Sequence, residues 1–285
     1  MERLSSLVAW RQFAQSARDQ GRRVGLVPTM GALHDGHLSL VRRARHNGDV
    51  VVLTSFVNPR QFSDPRDLAK YPHAPEADAA LAAATGVDAF VTPTLREMWP
   101  DYPAPTLTTV SVTELGDRLE GETRPGHFDG VASVVAKLFT VTGPCRAYFG
   151  QKDYQQLVVV RRMVSDLAFD VEVVGCVTQR AVDGLALSSR NARLSAQGLT
   201  AATSLSRALH AARDSHVVAS GRRTLMRDVM RSAGVDVAYA DVVDVLTLQP
   251  LSDEDRGVGR ALVAGVVEGV RLIDNEEIDL SVSGG

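Results

Sequence analysis

The chain has 285 residues, 45% hydrophobic and 23% charged, which are the proportions of a globular protein and exclude disordered, collagen-like and coiled-coil chains. Its 31 Lys and Arg against 34 Asp and Glu give a formal charge of −3, which supplies no overall attraction to nucleic acid or an anionic membrane. The length exceeds the usual size of one domain and favours two, and no apolar run approaches the ~18 residues of a membrane helix.

The first twenty residues carry Leu4, Leu7, Val8, Trp10, Phe13, Ala14 and Ala17 at near-helical spacing, which predicts an amphipathic helix stopped by Gly21. Arg11, Arg18 and Asp19 within it do not suit a signal peptide, so a cytoplasmic location is expected. Val24–Val27 reads as a short buried strand, Pro28–Gly36 as a glycine-bearing loop, and His37 to about Arg45 as a helix. Asp49–Val57 is a β-branched strand, Glu76–Ala84 an alanine-rich helix, and Ala89–Val91 a strand. After the Pro-rich stretch Pro93–Pro105, a helix is expected at Val131–Val141, a strand at Ala147–Phe149, a helix at Tyr154–Leu167 and a strand at Val171–Cys176.

This alternation predicts an α/β fold, a Rossmann-like parallel sheet with crossover helices, whose ligands bind beyond the carboxyl ends of strands. Past Gln179 the pattern changes to a long helix from Ser195 to about Val218, a second over Thr224–Ser232, and strands at Val237–Val245 and Ala261–Val267. Helices followed by strands suggest a smaller α+β C-terminal domain, so the expected division is 1–178 and 179–285. Cys145 and Cys176 have apolar-type neighbours and read as free buried thiols.

The most informative segment is Val27–Leu40, VPTMGALHDGHLSL. It leaves a predicted strand, passes Gly31 and enters a helix with His34 and His37 flanking Asp35-Gly36. A helix N-terminus with unpaired N–H groups suits a phosphate, Gly36 removes a side chain that would hold it off, and two imidazoles three residues apart can donate to one polyphosphate. The alternatives are ordinary loop or capping histidines, or a metal site, although no Cys, third His or HExxH pattern completes a ligand set nearby.

His34-Asp35-Gly36-His37 resembles the HxGH motif of the nucleotidylyltransferase superfamily. PTMGALHDGH, SFVNPRQF, RPGHFDGV, FGQKDYQQL, DGLALSSRN and RLIDN stand in the order found in the pantoate–β-alanine ligase family, and the resemblance runs from about Arg22 to Leu280. It implies ATP-dependent ligation of (R)-pantoate and β-alanine through a pantoyl adenylate, with release of pyrophosphate and AMP. It further implies that Mg²⁺ accompanies the ATP and that the protein is a homodimer, and the charge balance leads us to expect no nucleic-acid or membrane partner. Apolar strands near Asp49–Val57 and Thr106–Val112 are expected to contribute to the dimer.

The resemblance also assigns residues. ATP falls to Met30, Gly31, Ala32, Leu33, His34, Asp35, Gly36 and His37, to Gly150, Gln151, Lys152 and Asp153, to Gln179, and to Leu187, Ser188, Ser189 and Arg190. Pantoate falls to Gln61 and Gln156, and β-alanine to Gln61, with Asn58 assisting; Arg124, His127 and Asp129 are wall residues without an assigned role. His34, His37, Lys152 and Arg190 are the catalytic set. Arg60 stands where methionine is usual and is expected to face away; Gln151 replaces a glutamate, and Gln179 an apolar residue.

The chemistry suits such a set. A carboxylate is ionised at neutral pH, so adenylation needs no general base; the obstacle is bringing an anion to a polyanion, which positioning and positive potential overcome. The β-alanine amine, with a pKa of roughly 10, must then lose a proton, and His34, water and the departing phosphate are all open as acceptors. Other readings are a nucleotidylyltransferase with another acceptor, an aminoacyl-tRNA synthetase fragment and a non-catalytic nucleotide-binding module.

Overall fold

The computed structural model describes residues 1–281. The chain forms two compact units: one comprises Met1–Gln151 and Gln155–Val177, the other Lys152–Tyr154 and the chain from Thr178 onward.

In chain order the first unit contains β1 (Glu2–Leu4), α1 (Leu7–Asp19), β2 (Val24–Thr29), α2 (Asp35–His46), β3 (Val50–Ser55), α3 (Pro65–Ala69), α4 (Pro75–Thr85) and β4 (Ala89–Val91). Then come α5 (Leu95–Met98), α6 (Glu120–Thr123), α7 (His127–Thr142), β5 (Cys145–Gly150), α8 (Tyr154–Asp166) and β6 (Val171–Cys176). The strands form one parallel sheet in the order β1-β4-β3-β2-β5-β6. Val50, Val51, Val52 and Leu53 are at most 2% exposed, as expected of strands covered on both faces, which read as continuous apolar runs. Winding proceeds outward from β2 in one direction and from β5 in the other, so the topological switch lies between these neighbours.

Several expectations are corrected. Glu2–Leu4 is an edge strand paired with β4, and the first helix begins only after Ser6, whose hydroxyl accepts from Ala9 N at 3.1 Å. Three residues are too few to show a period of two, and Leu4 matched the helical spacing by coincidence. Helix α2 starts at Asp35, not His37, and α7 at His127, not Val131. Residues 106–112 form no strand, and β3 lies inside the sheet, paired on both edges. The β3 side chains from Val50 to Thr54 are buried within the sheet, whereas Leu107 of the 106–112 segment is exposed.

The second unit contains α9 (Ala196–Asp214), α10 (Ala219–Ser232), β7 (Asp236–Val243), β8 (Val258–Val267) and β9 (Val270–Asp279). The strands form an antiparallel sheet in the order β7-β8-β9. Leu205, Leu209, Met226 and Met230 of the helices pack with Ala240, Val242, Ala261 and Val263 of the strands. The long helix ends at Asp214, short of the expected Val218, and α10 begins at Ala219, ahead of Thr224. Strand β9 is an addition: its Arg271, Asp274, Glu276 and Glu277 hide an apolar alternation. A two-residue turn with Glu268 at φ +51° and Gly269 at φ +75° joins it to β8, the left-handed pair that a tight hairpin requires.

Candidate active site

The loop leaving β2 is stitched to β3: Thr29 Oγ1 donates to Thr54 O at 2.6 Å, and Gly31 N donates to Thr29 Oγ1 at 3.2 Å. Gly31 has φ +82°, and a Cβ there would stand 2.7 Å from Ser55 Oγ, so only glycine fits. Ala32 is also left-handed, at φ +51°. Asp78 of α4, 3% exposed, holds this strained backbone by accepting from Ala32 N at 2.9 Å and Leu33 N at 2.7 Å. Leu33 turns its side chain into the core beneath. Asp78 is the residue the sequence reading missed; in Pro-Glu-Ala-Asp it looks like any acid in the first turn of a helix.

His34 is the N-cap of α2. Its Nδ1 accepts from Gly36 N at 3.1 Å, while His37 Nδ1 accepts from His34 N at a long 3.4 Å. The two half-buried rings lie 4.1 Å apart between centroids. A neutral imidazole whose Nδ1 accepts must carry its proton on Nε2. Both rings are thus set as Nε2 donors at a helix start where backbone partial charge is positive. The histidines thus serve as the caps of α2, as one of the alternatives expected.

The loop after β3 is equally determined. Asn58, 1% exposed, donates to Gln61 Oε1 and to Gly130 O, both at 3.0 Å, and accepts from Trp99 Nε1 at 3.0 Å. With its oxygen engaged, the Gln61 amide is oriented and its NH₂ group is left to donate. The Gln61 carbonyl accepts from His127 Nδ1 at 2.7 Å and Arg124 Nη2 at 3.3 Å, which gives these two residues a role in holding the loop. Asp129 accepts from Ser111 Oγ at 2.7 Å. Gly130 lets α7 approach: a Cβ there would lie 2.2 Å from Arg60 O. The Arg60 guanidinium stacks over Trp99 at 5.1 Å and donates to Ala104 O at 2.7 Å, so it ties down the Pro-rich segment.

Helix α8 carries two adjacent glutamines with different fates. Gln155 is buried and saturated, donating to Leu115 O and Arg118 O and accepting from Glu120 N. Gln156 is half-buried, and its amide has no hydrogen-bond partner among the described residues.

In the second unit, Lys152 Nζ stands 3.5 Å from Asp153 Oδ1, and the ammonium side chain is mostly buried. Residues 179–187 form a small hairpin: Leu187 N donates to Gln179 O at 2.9 Å and Ala181 N to Leu185 O at 2.8 Å, around a turn with Gly184 at φ +90°. Ser188 caps the short 3₁₀ turn Ser189–Arg193, accepting from Arg190 N at 3.3 Å, and Asn191 Nδ2 donates back to Ala186 O at 3.0 Å.

Cys145 and Cys176 are free and buried, and burial pushes their thiols up to about 12 and about 11, far from a reactive thiolate. Among the described residues no group of three His, Cys, Asp or Glu is placed to hold a metal ion, and no helix is long and apolar enough to cross a membrane.

Residues 2–277 match the family model described as pantoate-beta-alanine ligase. A pantothenate synthetase of Cereibacter sphaeroides is 51% identical over 260 residues, covering 90% of this chain and 91% of its own. One from Moorella thermoacetica is 45% identical over 288 residues, covering 99% and 100%. The crystal structure of pantothenate synthetase from Thermus thermophilus superposes with a TM-score of 0.89 at 45% identity, covering 97% of this chain and 99% of that one. The pantoate-beta-alanine ligase of Francisella tularensis, complexed with beta-gamma ATP and beta-alanine, gives 0.81 at 33% identity, covering 97% of each. This chain belongs to the pantoate–β-alanine ligase family.

Proposed function

We propose that the reaction this chain catalyses as a member of its family, ATP-dependent ligation of (R)-pantoate and β-alanine, runs through a pantoyl adenylate. A pantoate carboxylate oxygen bonds to the α-phosphorus as pyrophosphate leaves. The β-alanine amine, having given up its ammonium proton, then bonds through nitrogen to the acyl carbon as AMP departs with that oxygen, and the second nitrogen proton is released as the amide forms. The observation that carries the reading is the pair of Nε2 donors fixed at the start of α2.

In this reading His34, His37, Lys152 and Arg190 stabilise charge as it moves onto the leaving phosphates. Met30–His37, Gly150–Asp153, Gln179 and Leu187–Arg190 bind ATP. Gln61 and Gln156 hold pantoate, and Gln61 also holds β-alanine. Residues 1–178 serve as the nucleotide- and pantoate-binding domain, and 179–285 as the smaller domain carrying the Ser188–Arg190 loop. Mg²⁺ bound with the ATP would supply charge neutralisation for the triphosphate, and the Asp153 carboxylate would be a suitable oxygen donor to it. The protein works as a homodimer in the cytoplasm, where reduced cysteines such as Cys145 and Cys176 are normal; sedimentation of the purified protein as a monomer would remove the dimer.

Pantoate labelled with ¹⁸O in its carboxylate tests the intermediate. One label is expected in the AMP released, and unlabelled AMP would rule out the adenylate.

A further inference from the structure

The RLIDN motif of β9 places two polar residues, Asp274 and Asn275, side by side, and each is 3% exposed. Neighbours on a strand point to opposite faces, so the pair serves both sides of the sheet. On one face Asp274 takes both guanidinium nitrogens of Arg180, Nη1 at 2.6 Å and Nη2 at 3.0 Å. Arg180 Nη1 also donates to Gly184 O at 3.1 Å, which ties the hairpin 179–187 from its base to its turn.

On the other face, Asn275 Nδ2 donates to the backbone carbonyl of Lys152 at 2.8 Å. Its Oδ1 accepts from Arg260 Nε at 2.9 Å, so the amide cannot flip without losing both bonds. Arg260, 6% exposed, lies over the Tyr154 ring at 4.1 Å, and the Tyr154 hydroxyl donates to Val245 O at 3.0 Å. Lys152–Tyr154 is thus held at its first residue by an amide and at its last by a stacked guanidinium and a hydroxyl.

We propose that Asn275 is a positioning residue for Lys152: by fixing the lysine's main chain it sets the point from which the ammonium reaches the phosphates. A long flexible side chain places its charge only as well as its backbone is placed, and a displacement of about 1 Å near reacting groups costs up to about 10²-fold in rate. The inference rests on Lys152 handling phosphate, as proposed above, and extends it to a residue 123 positions away.

The test uses the full-length enzyme and pantoate-dependent ATP–pyrophosphate exchange, with Asn275→Asp, Lys152→Ala and the double variant. Asn275→Asp keeps the shape and the acceptor for Arg260 while removing the donor to Lys152 O. It is expected to melt within a few degrees of the parent, lose about tenfold or more in exchange kcat, keep its KM for pantoate, and cost nothing further in the Lys152→Ala background. Wild-type kcat, or the same fold-loss with and without Lys152, would overturn the proposal. If Asn275→Asp does not fold, Asn275→Ala is judged by the same cycle. Lys152→Ala with wild-type exchange would instead remove Lys152 from the mechanism; a slow Lys152→Ala beside a normal Asn275→Asp defeats the positioning claim alone.

Discussion

The two units hold their functional segments by different means. In the first, the start of α2 is shaped by close neighbours in sequence: His34 and His37 lie three residues apart and cap the helix through bonds from the main-chain N–H groups of Gly36 and His34 to their rings. In the second, Lys152 and the 179–187 hairpin are held from β9 by side chains 123 and 94 positions away. A locally determined loop keeps its geometry as long as its own residues are kept. A remotely anchored one is lost through changes that look unrelated to it in sequence.

The largest expected effect falls on the local element itself. His37→Ala should lower turnover by about 10²-fold or more while the fold persists, because in the proposed mechanism it deletes a donor to transition-state charge; steady-state kinetics beside a thermal melt checks both parts. Next is the remote anchor: Asp274→Ala leaves the mostly buried Arg180 without its carboxylate, and urea unfolding should show a loss of about 3 kcal/mol. An equal loss of stability in His37→Ala would erase the contrast between the two kinds of anchor. Asp78 sharpens it, being a long-range hold on the first loop. Asp78→Ala should cost about 2 kcal/mol through two unsatisfied N–H groups and raise the KM for ATP, with Asp78→Asn milder because one acceptor survives. The smallest effect is expected at the cysteines: with thiols raised to about 12 and about 11 they remain protonated at pH 8, so alkylation of the native protein should be slow and leave activity unchanged.

The same division decides what could be read without coordinates. The parallel sheet was legible because buried β-branched runs alternate with helical spacing. The HDGH element was legible because cap, glycine and imidazoles are adjacent. Asp78, Asn275 and the working of Arg124 and His127 were not, since their partners lie 45, 123 and more than 60 residues away and pattern carries no such distance. Strand β9 escaped because the buried polar pair breaks the apolar alternation, and β1 because three residues show no period. Asp49–Val57 is as apolar as an interface because its apolar surface is buried inside the sheet.

In the proposed mechanism, fixed cationic and N–H donors bring two anions together to form an acyl phosphate. ATP–pyrophosphate exchange, measured with and without pantoate in the parent and in His37→Ala, decides whether they do. Exchange is expected to require pantoate and to fall by about 10²-fold or more in a variant that still binds ATP. Exchange that proceeds without pantoate, or undiminished without the His37 imidazole, would contradict it.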